Sequence, residues 1–397
     1  MRITKITTFV LKAPIGKERF LSSQAVFSER TSLLVRLETD TGLVGWGEGG
    51  QYGPAEPVAS VIHDVLAPWV LGISPQTPAV TWERLYTATR DFGQKGTYVE
   101  AISGLDIAHW DLFGQTLGVP VHVLLGGAFR DRVTAYATGF YYRGDRPFDS
   151  PETLDALETE AKGYVDAGFR VLKAKIGLLS IQADTERLAR IRAAVGPDVA
   201  LLTDANHAYN RATALRMGRA LEALDIGWFE EPVVPEDRAG YRELRAALSI
   251  PIAGGESEFT RFGFRDLFVE RCVDIAQPDT CSAGGFTEMQ RIIALAAAHN
   301  VSVVPHVWGS GIAVAAALQV LAVIPWQPFT FNPMPLQNEP MVEFDRNPNP
   351  LRDDLLQTPF VLEDGTLRIP DGPGLGVQVN EDVIARFLVE RRESHID

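Results

Sequence analysis

The chain has 397 residues, of which 46% are hydrophobic and 22% are charged, as in ordinary soluble globular proteins. It carries 37 lysines and arginines against 51 aspartates and glutamates, so its net charge is −14. This acidic balance argues against nucleic acid or an anionic membrane surface as a partner. The length predicts two or three domains, and a (β/α)₈ barrel could take up most of the chain as one of them.

The cysteine content and the apolar stretches predict a cytoplasmic protein. Cys272 and Cys281 are too few to form a disulfide framework in a chain of this length, so we expect reduced thiols. The first residues contain no uninterrupted apolar stretch of the kind found in secretion signals. The longest apolar stretch, 312–324, is interrupted by Gln319 and is shorter than a membrane span, so we expect a buried core helix.

The first part of the chain has the pattern of a mixed α+β domain. Apolar and polar residues alternate over 33–37, and residues 39–42 predict the turn of a hairpin with a second strand, 43–46. Helical stretches follow over 57–70 and 98–117.

From residue 132 onward, short apolar strands alternate with amphipathic segments of helix length. The predicted strands are 133–137, 170–176, 199–203, 226–229, 252–253, 273–276, 301–304 and 329–331. This alternation predicts a parallel sheet covered by helices on both faces, and eight such units within about 200 residues favour a closed barrel. No GxGxxG motif follows the first strand, which argues against a dinucleotide-binding fold.

Six successive predicted strands each end near a polar residue that could bind a metal or act as a base. These residues are Lys175, Asp204, Glu230, Glu256, Asp279 and His306. They follow one another at intervals of 23 to 29 residues, about one strand–helix unit each. Because the C-terminal ends of barrel strands converge on the face that holds the active site, we expect the six side chains to share a pocket.

Three of these side chains predict a metal site. Asp204, Glu230 and Glu256 come from adjacent strands and offer hard carboxylate oxygens, which suit Mg²⁺. Any one of them alone could instead be a helix N-cap or an exposed loop acid, whereas the set on consecutive strands favours a metal. Ca²⁺ and Mn²⁺ remain alternatives, and Zn²⁺ usually takes His or Cys ligands.

Lys173 and Lys175 are predicted to lie on one face of a single strand, since strand side chains alternate with a period of two. Two neighbouring cations near a divalent metal would lower the pKa of each ammonium group, and a neutral amine could act as a base near pH 7. The alternative is a solvated pair on an edge strand, against which the apolar neighbours Val171 and Leu172 argue.

His306 and Asp279 follow neighbouring predicted strands, so we expect Asp279 to hydrogen-bond His306, fix its tautomer and raise its basicity. The alternative for His306 is a buried core histidine. His207, beside Asn206, is a weaker candidate for lining the pocket. Glu343 follows the last predicted strand and is a weak candidate for a hydrogen bond at the far side of the metal site.

The charges of the predicted site indicate an anionic substrate. Three carboxylates, a divalent ion and two protonated lysines leave a net positive charge, which would hold a carboxylate. Its α-proton is weakly acidic, so its removal needs a metal and a positioned base. Lys175 and His306 come from distant strands and could face opposite sides of one α-carbon, which suits racemisation or loss of a β-substituent.

These residues lie in sequence runs that resemble the enolase superfamily, mandelate racemase subgroup, over nearly the whole chain. The matching runs are 45–48, 106–111, 173–175, 204–206, 230–232, 255–256, 277–279 and 305–306. Within that subgroup, runs at 229–235, 305–309, 343–346 and 369–376 are similar to galactarolactone cycloisomerases, and acid-sugar dehydratases share the subgroup.

The resemblance implies an α/β fold with two parts. Residues 129–354 would form a (β/α)₇β TIM-like barrel that carries the metal and the catalytic residues. Residues 1–128 would form an α+β N-terminal capping domain, to which the tail 355–397 returns. Loops covering the mouth, about 14–27 and 49–54, would choose the substrate.

The resemblance also implies site roles. Mg²⁺ would be bound by the three carboxylates and an enediolate would form, with Lys175 and His306 as bases and Asp279 orienting His306. Glu343 would hydrogen-bond the substrate carboxylate, and Lys173 completes the catalytic set. The candidates for substrate contact are Asn206, His207, Trp308 and Tyr52.

The function expected is a Mg²⁺-dependent acid-sugar lyase or isomerase that removes the proton α to a carboxylate and then expels the β-oxygen. Its partner would be a sugar diacid or the lactone of one, and the chain would form a homo-oligomer. One alternative is a racemase or epimerase that uses Lys175 and His306 as opposed bases. Another is a non-catalytic sugar-acid binder on the same scaffold.

Overall fold

The structure is a computed structural model that describes residues 1–16, 19–50, 53–144, 148, 150–326 and 339–396. The strands of the N-terminal part are β1 Ile3–Pro14, β2 Phe20–Leu21, β3 Val26–Phe27, β4 Glu29–Thr39 and β5 Val44–Glu48. Its helices are α1 Ala55–Val61, α2 Ala67–Val70, α3 Pro78–Thr89, α4 Thr97–Leu117 and α5 Val121–Leu124, with a π-helical turn, Ile62–Leu66, joining α1 to α2. The predicted hairpin is confirmed as β4–β5, and both predicted helical stretches are confirmed.

Strand β5 packs closely on helix α4 because Gly45 and Gly47 within it, and Gly49 just after it, carry no side chain. A Cβ at Gly47 would lie 2.2 Å from the carbonyl oxygen of Gly104 in α4. Cβ atoms at Gly45 and Gly49 would meet backbone oxygens of the same helix at 2.3 and 2.5 Å. Glycine at alternate positions along one strand face therefore lets the backbones of strand and helix approach directly.

The second part of the chain is built from alternating strands and helices. The strands are β6 Arg132–Gly139, β7 Tyr142–Arg143, β8 Val171–Lys175, β9 Ala200–Asp204, β10 Ile226–Glu230, β11 Ile252–Gly254, β12 Ile275–Ala276, β13 Ser302–Val303 and β14 Met341–Asp345. The helices are α6 Pro151–Asp166, α7 Ile181–Val195, α8 Arg211–Glu222, α9 Arg238–Ala247, α10 Thr260–Val269, α11 Gly285–Ala298 and α12 Gly311–Val323. This is the predicted parallel α/β arrangement.

The barrel strands are hydrogen-bonded in the order β13-β12-β11-β10-β9-β8-β6-β14. The predicted strand 329–331 lies outside the described residues, and the strand that pairs with β6 is Met341–Asp345. Glu343 therefore lies inside a barrel strand, β14. The prediction that it follows the last strand is wrong. At the mouth, the N–H of Val307 donates to Glu343 (3.1 Å), so the two ends of the strand order touch.

The barrel interior has an apolar layer below and a polar layer above. The lower layer contains Tyr136, Val171, Leu202, Trp228, Ala253, Ile275, Val304 and Met341. Two residues further along β8, β9 and β10, the next inward positions hold Lys173, Asp204 and Glu230, as a period of two requires. The apolar layer thus supports a charged layer at the C-terminal ends of the strands.

Side-chain caps begin five helices of the second part, α6, α7, α8, α9 and α12. The side chains of Ser150, Ser180, Asn210 and Asp237 accept hydrogen bonds from the backbone N–H three residues later, and Ser310 does so two residues later. These bonds satisfy N–H groups that a helix start leaves free. Helix α12, predicted as a buried core helix, is confirmed: all of its residues before Val323 are buried.

Buried acids of the first part fasten it to helix starts of the barrel. Glu48 of β5 accepts from the N–H and hydroxyl of Ser310 and from the N–H of Ala313, at the start of α12. Asp106 of α4 accepts from the N–H (2.9 Å) and the hydroxyl (2.6 Å) of Thr287 in α11. The positive end of each helix stabilises the acid beside it.

The tail contributes to both parts. Its elements are α13 Pro350–Asp353, β15 Thr366–Arg368, α14 Glu381–Phe387 and β16 Leu388–His395. Strand β15 pairs with β6 of the barrel, whereas β16 pairs with β1, so the first sheet has the order β16-β1-β4-β5. No helix among the described residues has the length and apolarity needed to cross a membrane.

Candidate active site

Three buried carboxylates meet where the central barrel strands end. Asp204 and Glu230 are the last residues of β9 and β10, paired in register, and Glu256 lies two residues beyond β11. One oxygen from each lies within 4.8 Å of the others. The three residues predicted to share a metal site therefore lie together, in a geometry open to one hard cation.

The electrostatics of this group also fit a cation. Burial, with the charge of Asp204, raises the pKa of Glu230 to about 8. Burial and the charge of Glu231 raise the pKa of Glu256 to about 7. Burial opposes ionisation of Asp204 as well, but the Lys175 ammonium outweighs it and lowers the pKa of Asp204. Buried like charges of this kind suit a divalent ion, which would offset their repulsion.

The two lysines of β8 reach the carboxylates from one side. Lys173 lies 2.8 Å from both Glu230 and Glu343, and Lys175 donates to Asp204 and, at 2.9 Å, to Asn206. Burial lowers the pKa of each lysine, but the facing carboxylates raise it further, so both values lie above the ordinary range. The expected lowering of these pKa values depends on a bound divalent ion and stays a prediction.

His306 and Asp279 form the expected pair on the other side. The two residues form a parallel bridge beyond β12 and β13, and Nδ1 of His306 donates to Asp279 at 2.6 Å. The other ring nitrogen, Nε2, lies 3.6 Å from Glu256 and 3.9 Å from Glu343. Burial lowers the pKa of His306, but the charge of Glu256 and the bond to Asp279 outweigh it and raise the value to about 10.

Glu343 stands between the lysine side and the histidine side. One carboxylate oxygen accepts from the hydroxyl of Thr138 (2.5 Å) and the other from the N–H of Val307 (3.1 Å). Burial raises its pKa, but the charge of Lys173 outweighs this and holds the pKa at about 2. Glu343 was a weak candidate from sequence, and the structure places it inside the charged layer.

The candidates for substrate contact lie in different surroundings. Asn206 accepts from Lys175, and His207 is ion-paired with Glu231 at 2.7 Å. Trp308 packs against Tyr141, with the Arg30 guanidinium 4.1 Å from its ring centroid. Tyr52 lies outside the described residues.

Four aromatic side chains form a wall beside the site, which we call the aromatic wall and which was not predicted from the sequence. Phe20 and Phe27 lie in the mouth segment, residues 19–27, and stack on each other. Both rings also contact Tyr141 and Trp308. The Nζ of Lys175 lies 5.3 Å from the Tyr141 ring centroid, so this wall borders the lysine side of the site. The run 141–142 of two tyrosines after the first barrel strand was the available signal.

A cavity of about 420 Å³ lies between the first part of the chain and the barrel mouth. Glu256 contributes to its lining, together with Glu100 from the first turn of α4. Burial and the charge of Asp279 raise the pKa of Glu100 to about 7. Glu100 carried no signal in the sequence, because it reaches the mouth from a helix far from the barrel strands.

The two candidate bases flank the carboxylates. Lys175 contacts Asp204 at the β9 end of the group, and His306 approaches Glu256 at the β11 end. A carboxylate substrate on a metal at the centre would have one base on either side of its α-carbon. This arrangement can move a proton on or off that carbon.

Comparison with known proteins places the chain in a family. Residues 5–126 match the mandelate racemase / muconate lactonizing enzyme N-terminal domain, and residues 156–383 match the enolase C-terminal domain-like family. The chain is 41% identical to D-galactarolactone cycloisomerase of Agrobacterium fabrum over 98% of this chain and 99% of that one. It is 36% identical to arabinonate dehydratase of Saccharolobus solfataricus, over 88% and 89% of the two chains.

A solved structure of a related enzyme has the same fold. The crystal structure of 3,6-anhydro-D-galactonate cycloisomerase from Zobellia galactanivorans superposes with a TM-score of 0.86 and 39% identity, covering 98% of this chain and 100% of that one. The resemblances to the enolase superfamily and to galactarolactone cycloisomerases are confirmed. The chain therefore belongs to the mandelate racemase / muconate lactonizing enzyme family of enolase-superfamily enzymes.

Proposed function

We propose that this protein is a Mg²⁺-dependent acid-sugar lyase or cycloisomerase. It removes the proton α to a carboxylate and expels the oxygen on the β-carbon. The observation that carries the proposal is the buried carboxylate group with Lys175 at one end and the His306–Asp279 pair at the other. The cycloisomerase and dehydratase among its relatives support the acid-sugar substrate class.

The cofactor would be held by Asp204, Glu230 and Glu256. When bound there, Mg²⁺ supplies positive charge that stabilises the charge developing on the substrate carboxylate. Lys173 adds a fixed ammonium between Glu230 and Glu343 in the same layer. Mn²⁺ would be accepted by the same oxygens.

The chain's own residues would perform two proton transfers. One base takes the α-proton, and the C–H electrons form a C=C bond as the β-carbon–oxygen bond breaks. The conjugate acid of the other base gives a proton to the departing oxygen, and the enol left behind becomes a 2-keto acid. Asp279 holds Nδ1 of His306, so that Nε2 faces the substrate.

Turnover of a panel of hexonates, hexarates and their lactones with Mg²⁺ tests the proposal, read by ketone formation and product mass. A cycloisomerase opens a lactone with no change in mass, whereas a dehydratase loses one water. Ketone formation with at least one member, abolished in Lys175→Ala and His306→Asn, is the expected result. No ketone from any member would refute the substrate class.

The flanking placement of Lys175 and His306 also favours a second candidate, a racemase or epimerase. Reaction in D₂O separates the two, because a racemase returns deuterated substrate and both epimers without forming a ketone. A non-catalytic binder would bind sugar acids and leave every panel member chemically unchanged, in wild type and variants alike.

We also propose that the protein acts in the cytoplasm as a homo-oligomer. Cys272 and Cys281 are buried and form no disulfide, which suits a reducing compartment. The division into a capping domain, 1–128 with 355–397, and a barrel, 129–354, is likewise proposed. Light scattering after size-exclusion chromatography would give the oligomeric state.

A further inference from the structure

The cavity at the barrel mouth offers acceptors and neutral polar groups but no positive charge from its described lining. Barrel segments contribute Glu256, Ser257 and Ser282, and the mouth segment contributes Gln24. Helix α4 contributes Glu100. The charged side chains in this described lining are therefore both carboxylates.

Glu100 is the charged member of this lining that comes from the first part of the chain. No described residue donates a hydrogen bond to its carboxylate or forms an ion pair with it; its backbone N–H bonds Gly96 within the first turn of α4. Its Cδ lies 3.6 Å from the Cβ position of Gly50, in the close contact between α4 and the segment after β5. The carboxylate thus lies beside the backbone of Gly50 and borders the cavity.

We propose that Glu100 makes this cavity a subsite for an uncharged, hydroxyl-bearing end of the substrate and excludes a second carboxylate. The inference rests on the proposed function, because Glu256, as a metal ligand, would fix the reacting carboxylate beside the cavity. A hydroxyl at the far end donates a hydrogen bond to Glu100. A second carboxylate there meets like charge with no cation in the described lining to pair with it.

The substrate class becomes narrower as a result. It is a sugar monoacid, or a lactone whose second carboxyl group is closed into the ring and uncharged. Open sugar diacids are disfavoured, which separates this chain from enzymes that dehydrate them.

The test compares D-galactonate with D-galactarate, which share configuration and length and differ at C6 in a hydroxymethyl group against a carboxylate. Dissociation constants are measured calorimetrically with Mg²⁺ at a pH above the pKa of Glu100, which is about 7, so that its carboxylate is charged. A His306→Asn background keeps turnover from interfering. We expect galactonate to bind at least about tenfold tighter when Glu100 is present. Glu100→Gln should bring the two constants close together, and Glu100→Lys should reverse the preference.

A matched control is Glu186→Lys, which makes the same charge change on the exposed face of α7 and should leave the preference unaltered. Equal or tighter binding of galactarate with Glu100 present would overturn the inference. So would the same ratio in Glu100→Lys and Glu186→Lys, or failure of both ligands to bind. Failure of the proposed function is read separately, as the absence of ketone product from the wild-type protein.

Discussion

Some residues of the site could be predicted from the sequence and others could not. Asp204, Glu230 and Lys175 were predictable because each ends a short apolar strand, and barrel strands place their last residues together. The raised pKa of Lys173 was not predictable, because its partner Glu343 lies 170 residues away in a strand that was assigned to a loop. Glu100 was missed because a helix, not a strand, brings it to the mouth.

At the scale of single residues, the Asp279–His306 hydrogen bond allows a prediction about catalysis. Asp279→Asn keeps the shape but replaces an acceptor oxygen with an NH₂ group, which disfavours the tautomer that leaves Nε2 as the working nitrogen. We expect kcat to fall by about 10²-fold or more, with little change in KM. Steady-state kinetics on the best substrate of the panel give both constants.

Asp274→Asn is the control, since Asp274 pairs with Arg245 (2.7 Å) away from the site. It should leave kcat unchanged, although it removes an ion pair. An unaltered kcat in Asp279→Asn would show that His306 does not depend on Asp279.

Whole elements were predicted where their pattern was regular. The alternation of apolar strands with amphipathic helices located β6 and β8–β13 within a few residues. β14 was missed because Glu343 and Asp345 interrupt the apolar pattern that reveals the other strands. Glu343 lies in the charged layer, and Asp345 pairs with Arg30. Helix α3, Pro78–Thr89, was also missed.

At the scale of elements, the close contact between β5 and α4 allows a prediction about stability. Gly47→Ala would place a methyl group 2.2 Å from a backbone oxygen of α4, and neither backbone can move without its neighbours. We expect a loss of about 3 kcal/mol in the free energy of unfolding. Urea denaturation followed by circular dichroism measures it.

The same substitution at Gly163 is the control. Gly163 lies in the exposed interior of α6, and a Cβ there has nothing within 4 Å. Gly163→Ala should stabilise the protein by about 0.5 to 1 kcal/mol. Equal effects at the two positions would show that the β5–α4 contact tolerates a side chain.

For the whole molecule, the buried carboxylates link metal binding to folding. Since a metal bound only by the folded state stabilises it, Mg²⁺ at about 100 times its dissociation constant should add about 2.7 kcal/mol. We expect the melting temperature to rise with Mg²⁺ and to fall again with EDTA. Glu230→Gln should remove most of the Mg²⁺-dependent rise, and a rise of full size in that variant would contradict the assignment.

A second whole-molecule prediction concerns His63, which bonds Thr8 of β1 (2.8 Å) and Ser394 of β16 (2.7 Å). Burial and the charge of Arg392 lower its pKa to about 4. The unfolded chain binds a proton near pH 6.5, so it holds more protons than the folded protein between that pH and about 4. The histidine therefore lowers stability as the pH falls through this window.

His63→Gln removes the titration and keeps a polar side chain between the two hydroxyls. Urea denaturation at pH 7 and pH 5 should show a larger loss of stability in the wild type than in the variant. Equal losses would mean that His63 stays neutral, or charges equally, in both states.

The pairing of β16 with β1 has a consequence for how the protein matures on the ribosome. β1 is synthesised more than 370 residues before its partner. At a synthesis rate of about 5 to 20 residues per second, roughly 20 to 75 seconds separate the synthesis of β1 from that of β16. Until β16 is made, β1 is an open sheet edge that could pair with other chains. The first sheet is therefore completed only after the catalytic strands have been synthesised.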